Sequence, residues 1–331
     1  MLLSISSVVA GLILLLVGGD WLVRGAVRIA DRAGLSSLIV GLVIVGFGTS
    51  TPELATSIDA AMADKPGIAW GNIVGSNIVN CLLVLGCAAL IQPIPLVRSE
   101  MTRDPIIAFG AAMLLMIVGL TGFDATVTGA LFVFLLCAYV WWCYRLERRS
   151  TSPDFHTGPH DRAAALELTD PSIHKTSSGY AKPVLLAIIG LTVLVGGARL
   201  LVSGATEIAQ YAGLSETLIG LTVVAVGTSL PELVTSVVAA MRRQGAIAFG
   251  NVVGSSIYNI LFIGGATMIL APSSLPSSII HFDLPLMIAI QAILVVVVLN
   301  MRVMGRALGA ALLSGYVLYT IYLMTSAPGT A

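Results

Sequence analysis

Two glutamates, Glu53 and Glu232, each lie in the middle of a long apolar run, 35–62 and 214–241. A carboxylate at the centre of a bilayer costs about 2.5–3.5 kcal/mol even on insertion scales, so it needs a cation, a proton or a basic partner. No Lys or Arg occupies a comparably deep position, and the nearest basic residues stand at the ends of the runs. What remains is the binding of a metal cation or a proton.

The residues around each glutamate supply further oxygen donors. Gly48-Thr49-Ser50-Thr51-Pro52 and Gly227-Thr228-Ser229-Leu230-Pro231 put Gly and Pro in mid-run, where they break the helical ladder. Broken helices at membrane depth are tolerated where the freed backbone lines a cavity, and freed carbonyls ligate hard cations. Thr49 and Thr228, three residues before a proline, stand where carbonyls lose their donors. Ser50-x-x-Glu53 and Ser229-x-x-Glu232 also match a helix capping box, with the serine starting a new half-helix. A cap alone does not call for an ionised group at the membrane centre twice.

A second motif, 71–80 and 250–259, adds neutral oxygens. Gly71 and Gly75, like Gly250 and Gly254, are four apart and favour close helix contact. Asn80 and Asn259 present amide oxygens, with the Ser76 and Ser255 hydroxyls one turn earlier on the same face. These four are predicted ligands. Asn72, Asn77 and Asn251 fit either ligation or hydrogen bonds between helices. Two glutamates offer four oxygens and a charge of −2, and two Thr carbonyls bring the count to six. Hard oxygen donors without His or Cys favour calcium, for which six to eight ligands are suitable, over zinc or copper. Magnesium sheds its water reluctantly and fits less well. The same oxygens could be divided among several sodium ions, and sharing them would make the two occupancies mutually exclusive.

The elements that must position these residues are membrane helices. The chain has 331 residues, 57% hydrophobic and 10% charged, with mean hydropathy +0.97. Soluble domains carry about 25% charged residues, so an ordinary cytosolic enzyme is excluded. The charge balance is zero, which gives no global attraction to nucleic acid. Ten spans are predicted, at 2–22, 35–62, 68–91, 104–121, 125–144, 183–203, 214–241, 246–270, 284–300 and 307–325. No cleavable signal peptide is expected, because the apolar N-terminus lacks a basic region and runs into a full span. Cys81, Cys87, Cys137 and Cys143 lie in apolar runs and read as small hydrophobes. The polar stretch 145–182 contains His156 and His160 at i,i+4 spacing, but its Ser, Pro and Gly content reads as a solvated linker, not a zinc site. No nucleophile–base pair lies in the spans, so the chain is not read as an enzyme. With the N-terminus outside, the inside loops collect fifteen of the 17 Lys and Arg, leaving only Lys65 and Arg199 outside. Both termini would then face outward and the linker would be cytoplasmic.

The chain also repeats itself. Residues 46–60, GFGTSTPELATSIDA, match 225–239, AVGTSLPELVTSVVA, at nine of fifteen positions, and 71–80 match 250–259 at seven of ten. Both matches have an offset of 179 residues, which divides the chain into 1–144, the linker 145–182, and 183–331. Five spans per half is an odd number, so the second half is inverted relative to the first. Inverted repeats of this kind mark secondary transporters with a midplane site. Mutual exclusion at one site combined with alternating access makes an antiporter, whereas an ion channel usually places its pore on an axis between subunits.

At GTSxPEL and GNxxGS(N/S)xxN, both doubled, the chain resembles the calcium/cation antiporter superfamily, most closely its prokaryotic sodium/calcium exchangers. The resemblance covers nearly everything outside the linker. It implies an all-α polytopic fold of ten transmembrane helices in two inverted five-helix repeats, with the second and third helices of each forming the ion site. It implies calcium and sodium binding by Glu53 and Glu232, and backbone carbonyls from Thr49 and Thr228. Ser50, Ser229, Ser76 and Ser255 would line sodium positions, with Asn80 and Asn259 bordering the middle. Some relatives carry aspartate where this chain has Asn259, a pattern shared by potassium-dependent members, so Asn259 argues against a potassium requirement. The linker is too short for the folded calcium-sensing domains of eukaryotic exchangers. Sodium-driven calcium antiport in the cell membrane is the expected activity, with proton-driven calcium antiport as the alternative. The transported ions are calcium and sodium, and no cofactor, nucleic acid or obligatory protein partner is expected besides the bilayer.

Overall fold

A computed structural model describes residues 1–97, 101–149, 179–212, 225–272 and 275–326. Apolar composition favours long helices, and the 34 glycines let them pack closely. These are α1 (Leu2–Ala33), α2 (Ser37–Thr49), α3 (Thr51–Met62), α4 (Pro66–Ile91), α5 (Arg103–Thr121) and α6 (Ala125–Arg149) in the first half. The second half has α7 (Ala181–Tyr211), α8 (Ala225–Thr228), α9 (Leu230–Met241), α10 (Gly245–Leu270), α11 (Ile279–Asn300) and α12 (Arg306–Ser326). The strand pair β1 (Ile94–Pro95) and β2 (Val303–Met304) is antiparallel, with Ile94 opposite Met304.

Among the described residues, eight helices are long and apolar enough to cross a membrane, and the bent pair α2–α3 makes a ninth candidate. The shorter apolar helix α9 lies in the seventh predicted span, whose residues 214–224 fall outside the described residues, as does most of the 145–182 linker. Two predicted spans are too short. The first, expected at 2–22, runs to Ala33, where Gly34 takes the left-handed conformation (φ 64°) and donates its N–H to the Ala30 carbonyl. The sixth, expected at 183–203, runs to Tyr211. Arg24, Arg28 and Arg32 in the first tail and Glu207 in the second interrupt the apolar run but not the helix.

Close contact follows the small residues. A Cβ on Gly18 would lie 2.4 Å from the Leu194 nitrogen, and one on Gly190 would lie 2.4 Å from the Leu22 nitrogen. Gly11 faces Leu201 and Gly25 faces Ala187, so α1 and α7 run antiparallel along a seam of glycines spaced by seven. The centre of the molecule is α4 and α10, whose most apolar stretches are 78% and 89% buried, against 6–39% in the other long spans. Gly250 and Gly254 bring α10 onto α2, where a Cβ on either would meet a carbonyl oxygen, Leu38 or Leu42, at 2.5 Å.

Candidate functional site

The helix breaks form as the sequence predicts. Pro52 and Pro231 sit in the first turn of α3 and α9, and neither has the N–H that would bond the carbonyl four residues back, Gly48 or Gly227. At the junctions, Ser50 (φ −79°, ψ 5°) and Ser229 (φ −89°, ψ 7°) lie in the bridge region, and α2 meets α3 at 41°. Glu53 and Glu232 then occupy the first turn of each second segment, where the positive end of the helix dipole favours an anion.

Both carboxylates are buried, at 1% and 0% exposure, and lie within direct electrostatic reach of each other. Among the described residues, neither Glu53 oxygen has a hydrogen-bond donor. Glu232 Oε1 accepts from Ser50 Oγ at 3.3 Å, while Oε2 has no donor. The ion pairs among the described residues, Arg24–Asp20, Arg103–Asp104 and Arg242–Asp20, lie elsewhere. Two adjacent buried carboxylates without a basic partner form a strong electrostatic sink for a cation. No group of three or more His, Cys, Asp or Glu side chains converges among the described residues.

The capping boxes that the Ser-x-x-Glu spacing also matches do not form. Neither Ser50 nor Ser229 caps its helix through its side chain: both backbones lie in the bridge region and not in the extended conformation a cap residue takes, and Ser50 Oγ donates across to Glu232.

Asn72 and Asn251 brace this arrangement. Asn72 Nδ2 donates to the Glu53 carbonyl (3.1 Å) and to Ser57 Oγ (2.8 Å). Asn251 Nδ2 makes the counterpart bonds to the Glu232 carbonyl (3.3 Å) and Ser236 Oγ (2.9 Å). Their Oδ1 atoms receive threonine hydroxyls from the opposite half, Thr228 on Asn72 (3.5 Å) and Thr49 on Asn251 (3.1 Å). Asn77 bonds its own helix at the Ile73 carbonyl.

Asn80 and Asn259 are fully buried, and among the described residues neither amide has a partner for its oxygen or its nitrogen. Each opens a π-helical turn, Asn80–Val84 and Asn259–Gly264, which the apolar periodicity did not signal. Ser76 is buried one turn before Asn80, and Ser255 Oγ donates to the Gly46 carbonyl at 3.3 Å. Thr235 is a residue the sequence reading missed: buried one turn beyond Glu232, its hydroxyl has no partner. A second missed feature is the pair Asp104 and Asp283, separated by the same 179 residues. Asp104 accepts from Tyr139 (2.8 Å) and pairs with Arg103, and Asp283 accepts from Tyr319 (3.0 Å). The repeat offset was the signal that could have found them. The four cysteines are free, as their apolar setting implied.

Residues 3–145 and 182–325 match the family described as sodium/calcium exchanger protein. The chain is 35% identical to the putative antiporter CaxA of Alkalimonas amylolytica, over 98% of this chain and 100% of that protein. It is 34% identical to the sodium/calcium exchanger MaX1 of Methanosarcina acetivorans, over 95% and 96% of the two chains. The structure of the sodium-calcium exchanger NCX_Mj soaked with 10 mM Na+ and zero Ca2+ superposes with a TM-score of 0.81 at 31% identity, covering 98% of this chain and 99% of that one. The paired buried carboxylates, the broken helices and these likenesses agree: the chain belongs to the sodium/calcium exchanger family, as a prokaryotic member of the calcium/cation antiporter superfamily, whose activity is transmembrane cation/calcium exchange and not enzymatic catalysis.

Proposed function

We propose that the chain exchanges sodium for calcium by alternating access at a site built on Glu53 and Glu232. The observation that carries this reading is the pair of buried carboxylates within reach of each other and without a basic partner. Calcium matches their combined charge of −2. Carbonyls of Thr49 and Thr228, hydroxyls of Ser50, Ser229, Ser76 and Ser255, and amides of Asn80 and Asn259 complete the oxygen set, for calcium or for sodium ions that share it. Because the carboxylates serve both ions, one must leave before the other is held.

The architecture we propose is ten transmembrane helices in two inverted five-helix repeats, 1–144 and 183–331, joined by a cytoplasmic linker at 145–182, with both termini outside. Antiparallel contact between the equivalent helices α1 and α7 supports inversion, as does the crossed Thr49–Asn251 and Thr228–Asn72 geometry. The interruption of the family match between 145 and 182 supports the boundaries.

The test is calcium-45 uptake by proteoliposomes under imposed sodium or pH gradients. Uptake that follows an outward sodium gradient without a pH gradient bears out sodium coupling. Uptake that ignores sodium and follows pH would instead assign proton coupling to the same carboxylates. With more than two sodium ions per calcium, inside-positive potential speeds sodium-driven uptake, since each net charge couples by about 2.3 kcal/mol per 100 mV. Voltage-independent uptake would indicate two.

A further inference from the structure

Asn72 and Asn251 hold the two helix breaks together. Each asparagine uses its Nδ2 on its own half, at the carbonyl of the site glutamate and at the serine hydroxyl one turn further on. Each uses its Oδ1 on the other half, at the threonine that ends the facing helix segment. An amide offers two donors and a carbonyl acceptor, and here the donors fix its orientation, so the oxygen is the group left to face the threonine. Glu53 and Glu232 are therefore linked through two crossed chains: Glu53 carbonyl–Asn72–Thr228, and Glu232 carbonyl–Asn251–Thr49.

The threonine end of the link has a choice built into it. Thr49 Oγ1 has one proton, and it lies 3.1 Å from both the Asn251 oxygen and the Val45 carbonyl of its own helix. Given to Val45, the proton closes a local back-bond that bends a helix; given to Asn251, it ties the first half's break to the second half's glutamate. The surroundings are water-poor, with Thr49 and Asn251 both at 0% exposure, so the hydroxyl has a protein acceptor in either position.

We infer that Asn72 and Asn251 are positioning residues that couple the two broken helices, so that a movement of one break is transmitted to the other and the site does not open to both faces at once. This inference rests on the exchange reading above. The asparagines touch the backbone of the site glutamates, not the ions, and their effect is on the coupling of flux.

The test measures two fluxes from proteoliposomes containing the full chain: calcium-45 efflux driven by a counter-cation gradient, and efflux into solution with no sodium, no calcium and no pH gradient. The parent should show the first and little of the second. Thr49→Val, which removes the hydroxyl at nearly constant volume, should raise the uncoupled efflux relative to exchange by about three- to tenfold, the scale of one interhelical hydrogen bond in a membrane. Thr49→Ser should restore coupling. Thr228→Val, at the longer 3.5 Å contact, should show a smaller rise and serves as the milder variant if Thr49→Val folds poorly. A second readout does not use transport: in a thermal-unfolding cycle in detergent, Thr49→Val and Asn251→Leu should be non-additive. Slower exchange with parental leak, additive stabilities, or Thr49→Ser behaving like Thr49→Val would each overturn the inference. A parent with no counter-ion-dependent flux would sink the exchange reading alone, and the stability cycle would still decide the brace.

Discussion

Glu53 and Glu232 stand at equivalent places in the two halves, yet the structure treats the halves differently towards the rim. At the centre the correspondence is close: carboxylate, asparagine brace, crossed threonine and π-turn amide all recur at the 179-residue offset. Away from it the correspondence fails. Asp20 on α1 binds Arg24 (2.8 Å) and Arg242 at the end of α9, whereas its counterparts are Arg199, Ser203 and Ala63, which cannot form that triad. Phe47 packs its ring against Tyr258 and Phe262, at 5.4 and 5.7 Å between centroids, beside a crevice of about 10 Å³ that reaches Ser50. The positions equivalent to these aromatics are Val226, Val79 and Leu83. The difference teaches where symmetry is required. On the proposed exchange reading, an ion bound from one face and released to the other would need an equivalent set of ligands from both halves, while the surfaces leading to it would face different solutions.

The largest effect is expected at the centre. Glu53→Gln and Glu232→Gln should each cut calcium exchange by about 100-fold or more in folded, inserted protein, because removing one partner from a buried set of charges costs about 3–5 kcal/mol. Calcium-45 exchange checks this, and near-normal transport by either variant would break the equivalence of the halves. Next comes the seam that joins them. Gly18→Leu places a side chain where a backbone nitrogen lies 2.4 Å from its Cβ. It should lower the unfolding temperature in detergent, with overpacking costing about 1–3 kcal/mol; Gly190→Leu should do the same.

The rim should respond more weakly. Arg242→Gln removes the tie to Asp20, a partly exposed pair worth about 0–1 kcal/mol. The ratio of calcium uptake to efflux should therefore shift by no more than about fivefold, and the shift should shrink at high ionic strength. Arg199→Gln should leave the ratio unchanged, and an equal response would remove the sidedness. The smallest effect is expected from the linker, whose composition supplies no core of its own. Shortening 151–176 should leave exchange within about twofold, since short solvated tethers transmit little beyond their reach. Loss of transport in a well-inserted deletion would mean that the halves communicate through the linker as well as through the asparagines.

The amino-acid sequence by itself determined the membrane class, the duplication and the helix breaks, and it pointed to the ten residues proposed as ligands, Ser50 and Ser229 among them only through the family resemblance. Each rests on a local rule: apolar runs must span, repeated motifs reveal themselves at a constant offset, Pro and Gly interrupt a ladder wherever they fall, and a charge in lipid demands a partner. Span lengths were less legible, because α1 and α7 continue past the apolar threshold into charged turns that water can solvate. Tertiary structure decided how the polar side chains are shared out. Ser50 fits a cap in sequence, but its hydroxyl donates instead to a carboxylate from the other half. Asn72 and Asn251 fitted ligand or brace equally well until their donors were found on glutamate carbonyls and their oxygens on opposing threonines. A hydrogen bond between residues 202 positions apart, such as Thr49 to Asn251, leaves no local pattern, because it exists only after two helices from different halves have been brought into contact.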